Sequence, residues 1–399
     1  LMACPTFAKI KLPALVGSNM VLQREREVNL WGEASPSKKV TVTTSWDGRK
    51  YTTQSDSDGK WLLKVSTPAA GGPYTIRISD GDPVTLENVM IGEVWVCSGQ
   101  SNMQMSMTGN LGEPVDGGVE ALIEAPKYKD IRLFYTPMVT SPESVAPFSA
   151  AAYFFARDLN DALGVPVGLI QTAWGGTRIE AWMPEATARE VEADIVQTND
   201  RFENPNKVGY LYNAMIRPLL NMTARGFIWY QGESNVHTNN YPHYAHYMEK
   251  LVSQWRGDWG DPDMPFYFVQ LVPHIYEGGT DGIVLPLMIE QQLAAADRIP
   301  NCAMIGTSDM ANAGTIHPSE KDQIGRRLAL LALTKTYGLK GLIAESPRFE
   351  SFRFEGGKAI LQFKTEGTLG PNYKGRIKGF EIAGADKVFI PARAEYVWG

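Results

Sequence analysis

Cysteine is scarce in this chain. Only Cys4, Cys97 and Cys302 carry thiols among 399 residues, too few for a disulfide framework and with no zinc-ligand spacing. Cys97 and Cys302 lie in apolar, strand-like runs, where a thiol is expected to be a buried packing group. Histidine is nearly as rare, at five residues. His243 and His246 would share a helix face, but no third ligand accompanies them, so no metal is expected. Basic residues number 38 against 44 acidic ones, a net charge of −6, which favours neither nucleic acid nor an anionic membrane surface. No apolar run approaches the roughly 20 residues of a membrane span. No glycine-rich phosphate loop opens a helix, which disfavours nucleotide handling. No cofactor is expected.

What remains is ordinary globular composition, 44% hydrophobic and 21% charged, on a chain long enough for two or three domains. Residues 1–88 read as an N-terminal β-sandwich-like domain. Val28–Trp31, Lys39–Trp46, Trp61–Val65 and Tyr74–Ile78 are rich in β-branched and aromatic residues, with Asp47-Gly48, Asp58-Gly59 and Asp80-Gly81 marking turns between them. From 89 to 342 apolar strands alternate with amphipathic helices, the pattern of a parallel sheet covered on both faces. Strands are expected at 92–97, 131–135, 167–173, 226–231, 265–271 and 302–308, and helices at 149–163, 242–256, 284–298 and 318–337. The β pattern returns over 343–399, a C-terminal β segment expected to pack with the N-terminal β domain. The opening residues 1–8 read as the tail of an export signal, and Leu1-Met2-Ala3-Cys4 loosely resembles a lipoprotein cleavage box, which together predict a periplasmic, cell-surface or secreted location.

Four segments fall at strand ends in the middle region, where the carboxyl ends of parallel strands share one edge and ligands bind. They are Gly99-Gln100-Ser101-Asn102-Met103, Gln171 to Arg178, Trp229 to Asn235, and Thr315-Ile316-His317-Pro318. A serine hydroxyl is a poor nucleophile until a base takes its proton. Ser101 early and His317 late therefore point to hydrolysis through an acyl-enzyme.

These blocks resemble the SGNH (GDSL-type) hydrolase superfamily, and more closely its sialate O-acetylesterase family. The resemblance extends to Pro13–Gln23 and Leu30-Trp31-Gly32 in the N-terminal region and covers most of the chain. It implies a three-layer α/β/α fold and hydrolysis of an acetyl ester on a sugar, with sialic acid as the first substrate. Acetylated xylan or another plant glycan is the alternative within the same chemistry; an inactive carbohydrate-binding protein is the alternative outside it.

Ser101 would be the nucleophile and His317 the general base and then acid. The backbone N–H groups of Ser101, Gly175 and Gly176 are candidate donors to the oxyanion. The superfamily adds an asparagine side chain, for which this chain offers Gln231 and Asn235, with Gln231 nearer the strand end. The superfamily's aspartate three residues before the histidine is missing, since that position is Gly314. Asp309 is then the candidate to orient His317, unless a backbone carbonyl does so and leaves a dyad. Gln100, Trp174, Arg178 and Glu233 are candidate substrate contacts. Arg178 with Glu233 reads first as a structural ion pair, and second as a grip on a substrate carboxylate. Trp182, Trp229 and Tyr230 join Trp174 as aromatic surfaces on which a sugar could stack. The expected partner is a small-molecule or glycan ester.

Overall fold

The computed structural model describes residues 10–136, 145–191, 205–238, 240–276, 283–310, 314–367, 377 and 379–397. The opening residues read as an export signal lie outside that set. Two compact units are present, Leu1–Lys340 and Gly341–Gly399.

The first unit begins with β1 (Val21–Gln23), β2 (Glu27–Glu33), β3 (Lys39–Thr44), β4 (Lys50–Gln54), β5 (Lys60–Ser66), β6 (Gly71–Ser79) and β7 (Pro83–Gly99). Alternate residues of β5, Trp61, Leu63 and Val65, are buried while their neighbours face out, as the two-residue period of a half-buried strand requires. β2 pairs with β5, and the ladder β4-β3-β6-β7 forms the other sheet. Val28, Leu30, Val40, Val42, Ile76, Ile78 and Val89 share their core with the β5 residues.

The expected boundary at 88 falls inside β7. This strand is 17 residues long, and from Val89 onward every residue is buried. Its first half pairs antiparallel with β6. Its second half is the centre of a parallel sheet. That sheet adds β8 (Ile131–Tyr135), β9 (Val167–Ala173), β10 (Gly226–Tyr230), β11 (Phe266–Val269) and β12 (Cys302–Ile305) in the order β8-β9-β7-β10-β11-β12. Continuous apolar runs such as Gly226-Phe-Ile-Trp-Tyr230 form strands here because both faces are covered.

The helices are α1 (Ser101–Gln104), α2 (Gly118–Glu124), α3 (Ala150–Leu163), α4 (Glu185–Arg189), α5 (Glu233–His237), α6 (Tyr244–Trp259), α7 (Val284–Arg298) and α8 (Lys321–Leu331). On one face of the sheet Trp95 meets Phe155 of α3 at 5.2 Å between ring centroids. On the other, Phe227 and Trp229 meet Trp255 of α6 at 5.3 and 5.7 Å. The expected bounds 131–135, 167–173 and 284–298 match β8, β9 and α7. The last helix starts at Lys321, not at Pro318, because the Ser319 carbonyl accepts the Asp116 and Lys321 N–H groups and keeps this stretch a loop. In the second unit β13 (Arg348–Glu355) and β14 (Lys358–Lys364) form a hairpin.

At the base of the central sheet Glu93 is fully buried. Its carboxylate accepts from Gln23 Nε2 at 3.0 Å, Arg24 Nε at 2.6 Å and Arg225 Nε at 2.9 Å. Burial alone would raise its pKa, but the Arg225 guanidinium, with Gln23 and Arg24, outweighs burial and holds the carboxyl below its ordinary value. The stabilisation is therefore present above the ordinary carboxylate range and is lost as pH falls through the lowered folded value. Glu93→Gln leaves two guanidinium groups around a neutral amide and is expected to cost about 3 kcal/mol, read as a lower midpoint in urea unfolding at pH 7. A midpoint equal to wild type would show the cluster to be energetically neutral.

Candidate active site

The end of β7 explains how Ser101 reaches the sheet edge. Gly99 has φ +140°, and a Cβ there would lie 2.1 Å from the Tyr230 carbonyl oxygen. Only glycine lets the chain turn this tightly against the next strand. The strand ladder ends with Gln100 N–H donating to Tyr230 O, and α1 begins at the following residue.

His317 arrives from the loop before α8. Its Nε2 lies 2.8 Å from Ser101 Oγ, although the residues are 216 positions apart. Its Nδ1 faces Glu113, at 3.0 Å from Oε1 and 2.9 Å from Oε2. The His317 and Glu113 side chains keep 18% and 23% of their surface exposed, so the line of groups reaches solvent.

Glu113, which the sequence reading did not single out, occupies the orienting position expected of Asp309. Asp309 is held elsewhere: its Oδ1 accepts from Arg327 Nη1 at 2.8 Å and its Oδ2 from Arg327 Nη2 at 2.5 Å. A carboxylate locked bidentately to a guanidinium on α8 ties the end of the β12 loop to that helix. Glu113 is further held by Asn110 Nδ2 at 2.9 Å and by the Thr315 hydroxyl. Thr315 Oγ1 also accepts the His317 backbone N–H at 2.9 Å. Burial would raise the Glu113 pKa, but the hydrogen bonds from Thr315, Asn110 and His317 bring it from 4.5 down to about 2. No local motif marks Glu113, 204 positions from its histidine. The one signal available was negative, namely that Gly314 leaves the histidine without a neighbouring acid.

The glycine pair lies beside the nucleophile. A Cβ on Gly175 would stand 3.3 Å from Ser101 Cβ, so the absence of a side chain permits the close approach. The Gly175 N–H donates to Gln104 Oε1 at 2.7 Å. A Cβ on Gly176 would meet nothing within 4 Å.

The amide side chains expected at the oxyanion face inward instead. Gln231 is fully buried, and its Nε2 donates to Gln100 Oε1, Thr177 O and Asn235 Oδ1 at 3.1, 2.9 and 2.8 Å. Asn235 Oδ1 accepts the Ile179 N–H and its Nδ2 donates to Glu180. Their hydrogen-bonding capacity is spent on the scaffold.

The substrate-contact candidates divide the same way. Gln100, Arg178 and Glu233 are buried, at 2%, 4% and 1% exposure, whereas Trp174 is 43% exposed directly after β9. Trp182, Trp229 and Tyr230 are core residues. The charges that act on the Glu233 carboxylate include those of His317 and Lys321. Arg178 is bonded to Asn206 through its backbone N–H and its guanidinium. Among the described residues no three His, Cys, Asp or Glu side chains gather as a metal-binding group, and no helix is long and apolar enough to cross a membrane.

A serine hydroxyl, an imidazole and a carboxylate in line at the carboxyl edge of a parallel α/β/α sheet make the arrangement of an ester hydrolase. Residues 91–334 match the family model described as carbohydrate esterase, sialic acid-specific acetylesterase, and the chain belongs to that family. It is a carbohydrate acetylesterase by family. The sialate O-acetylesterase of Homo sapiens is 29% identical over 405 residues, spanning 88% of this chain and 76% of the human one. That of Mus musculus is 28% identical over 414 residues, spanning 84% and 75%. The crystal structure of a carbohydrate acetylesterase from Xanthomonas citri superposes with a TM-score of 0.86 at 33% identity, covering 98% of this chain and 89% of that one.

Exchanging the two acids separates their roles. Glu113→Gln should lower kcat on the order of 10²-fold or more by removing the charge that holds the imidazolium, while Asp309→Asn should leave kcat within about twofold. The reverse result in a p-nitrophenyl acetate assay would return the orienting role to Asp309. Because the folded pKa of Glu113 lies below its ordinary 4.5, its stabilisation is full above that value and lost as pH falls through about 2. A rate profile between pH 4 and 8 should therefore carry no step that Glu113→Gln removes.

Proposed function

We propose that this esterase removes acetyl groups from O-acetylated sialic acid through an acetyl-enzyme formed on Ser101. The observation that carries the mechanism is the 2.8 Å approach of Ser101 Oγ to His317 Nε2, with Glu113 on the opposite ring nitrogen. His317 takes the hydroxyl proton as Ser101 Oγ bonds to the acetyl carbon. Glu113 stabilises the imidazolium so formed without taking its proton. The carbonyl oxygen gains negative charge, and the backbone N–H groups of Ser101 and of the Gly175-Gly176 pair are the donors that meet it. The carbonyl oxygen competes with Gln104 Oε1 for the Gly175 N–H. Collapse breaks the ester bond, and the imidazolium gives its proton to the departing sugar oxygen. Water then attacks the acetyl-serine with His317 again as base, releasing acetate and restoring Ser101.

The relatives named sialate O-acetylesterase support sialic acid as the sugar. One observation favours a second reading, an acetyl ester on a neutral plant glycan such as xylan. Arg178, the guanidinium considered for a sialate carboxylate, is buried. The exposed group following β9 is Trp174, a flat surface suited to stacking on a pyranose. The domain reading that goes with this mechanism gives the hydrolytic chemistry to 89–342 and a supporting role to the N-terminal β layer. An exported location suits a glycan substrate.

Ser101→Ala is expected to lower acetate release by about 10³-fold or more at unchanged stability. Equal rates for the variant and wild type would end the acyl-enzyme reading. Acetate release across 9-O-acetylated sialic acid and acetylated xylan decides the sugar. Faster turnover of xylan, combined with a lowered KM penalty on replacing Trp174 by Tyr relative to Ala, would favour the neutral glycan.

A further inference from the structure

Two buried ionisable side chains bond the residue after the nucleophile, and the hydrolytic steps above use neither. Lys321, at the start of α8, is fully buried, and Glu233, at the start of α5, is 1% exposed. The side-chain amide of Asn102, the residue after the nucleophile, lies between them and is itself fully buried. Lys321 Nζ donates to Asn102 Oδ1 at 2.5 Å. Asn102 Nδ2 donates to Glu233 Oε1 at 2.5 Å and to the Ile316 carbonyl at 2.9 Å.

The two ends of an amide are nearly alike in shape, and its partners decide which end is oxygen. An ammonium donates only and a carboxylate accepts only. With Lys321 on one side and Glu233 on the other, a single orientation of Asn102 satisfies both. In that orientation the second Nδ2 hydrogen is left for Ile316 O, one residue before His317.

We propose that Lys321 and Glu233 are positioning residues for the esterase, acting through Asn102 to hold the segment bearing His317 at reach of Ser101. The same amide hangs from the nucleophile's own segment, so one side chain sets the separation of base and nucleophile from beneath. Thr315 Oγ1 fixes the His317 backbone N–H from the other side. The inference rests on the Ser101–His317 reading of the mechanism.

A charged pair is an expensive way to hold a loop. Burial lowers Lys321 and raises Glu233, and the attraction between them opposes each shift. Glu233 Oε2 finds no donor among the described residues. The Tyr230 ring, 5.4 Å from Lys321 Nζ, supplies a further cation–π contact. Apolar side chains of similar volume would often be at least as stable there. They would leave the Asn102 amide free to turn over, which is the property the charges supply.

The test uses the full chain with p-nitrophenyl acetate, reading kcat, KM and thermal midpoint for Lys321→Met, Asn102→Ala and the double variant Glu233→Gln with Lys321→Met. The double variant removes both charges, so it keeps the question open if Lys321→Met alone fails to fold. Expected are a fall in kcat on the order of 10²-fold in each folded variant with KM within about twofold, and a thermal midpoint in the double variant near wild type while kcat stays low. Recovery of kcat together with the midpoint in the double variant, or wild-type kcat in Asn102→Ala, would overturn the proposal. Ser101→Ala measured in parallel separates the two failures. Full activity there removes the mechanism on which the inference rests, whereas an inert Ser101→Ala beside fully active Asn102→Ala removes the inference alone.

Discussion

The 2.8 Å contact between Ser101 Oγ and His317 Nε2 is the constraint around which this molecule is organised. Its two ends come from opposite sides of the parallel sheet in sequence order, one closing β7 and the other preceding α8. A hydrogen bond between such partly buried groups contributes about 1 kcal/mol and cannot hold two loops in place. The contact therefore depends on groups that make other bonds. Gly99 turns the strand under Tyr230, Thr315 bonds both Glu113 and the His317 backbone, and Asn102 bridges to Ile316.

β7 carries this constraint into the rest of the chain. Its first half belongs to the N-terminal β layers and its second half is the central strand of the parallel sheet. The strand is anchored at Glu93 by side chains from β1, the following loop and the segment before β10. A shift of β7 by one residue would turn every side chain to the opposite face. The Glu93 cluster and the nucleophile lie on one continuous strand, so the register that buries the carboxylate also sets where Ser101 emerges.

The parts of the fold written in local patterns were legible in sequence. β8, β9 and α7 fall at their expected bounds because apolar runs and helical periodicity are properties of neighbours along the chain. Ser101 and Gly175 were marked by their places at strand ends, and the structure gathers them with His317, which lies in the loop before α8 and not at the strand end expected. Glu113 was not marked, because a loop carboxylate has no periodicity and its role depends on a partner 204 positions away. The boundary expected at 88 falls inside β7, where composition changes while a strand shared by two sheets changes partners without changing its backbone.

The polarity of a strand-end block is weaker evidence for chemistry than it reads. Gln231 and Asn235 sit where an oxyanion donor would be sought, yet they join Gln100, Thr177, Glu180, Asn240 and Tyr244 in one buried network. A buried amide with any bond unmade costs more than an apolar residue of its size, so such a network specifies one arrangement and resists others. Gln100 Oε1 also accepts the Gly232 and Ser234 N–H groups, which ties the loop after β10 to the residue preceding the nucleophile. Placement of Ser101 then draws on amides that are themselves buried. The Gly175 N–H beside the nucleophile is held in turn by Gln104 Oε1 at 2.7 Å, a contact that no side-chain motif announces.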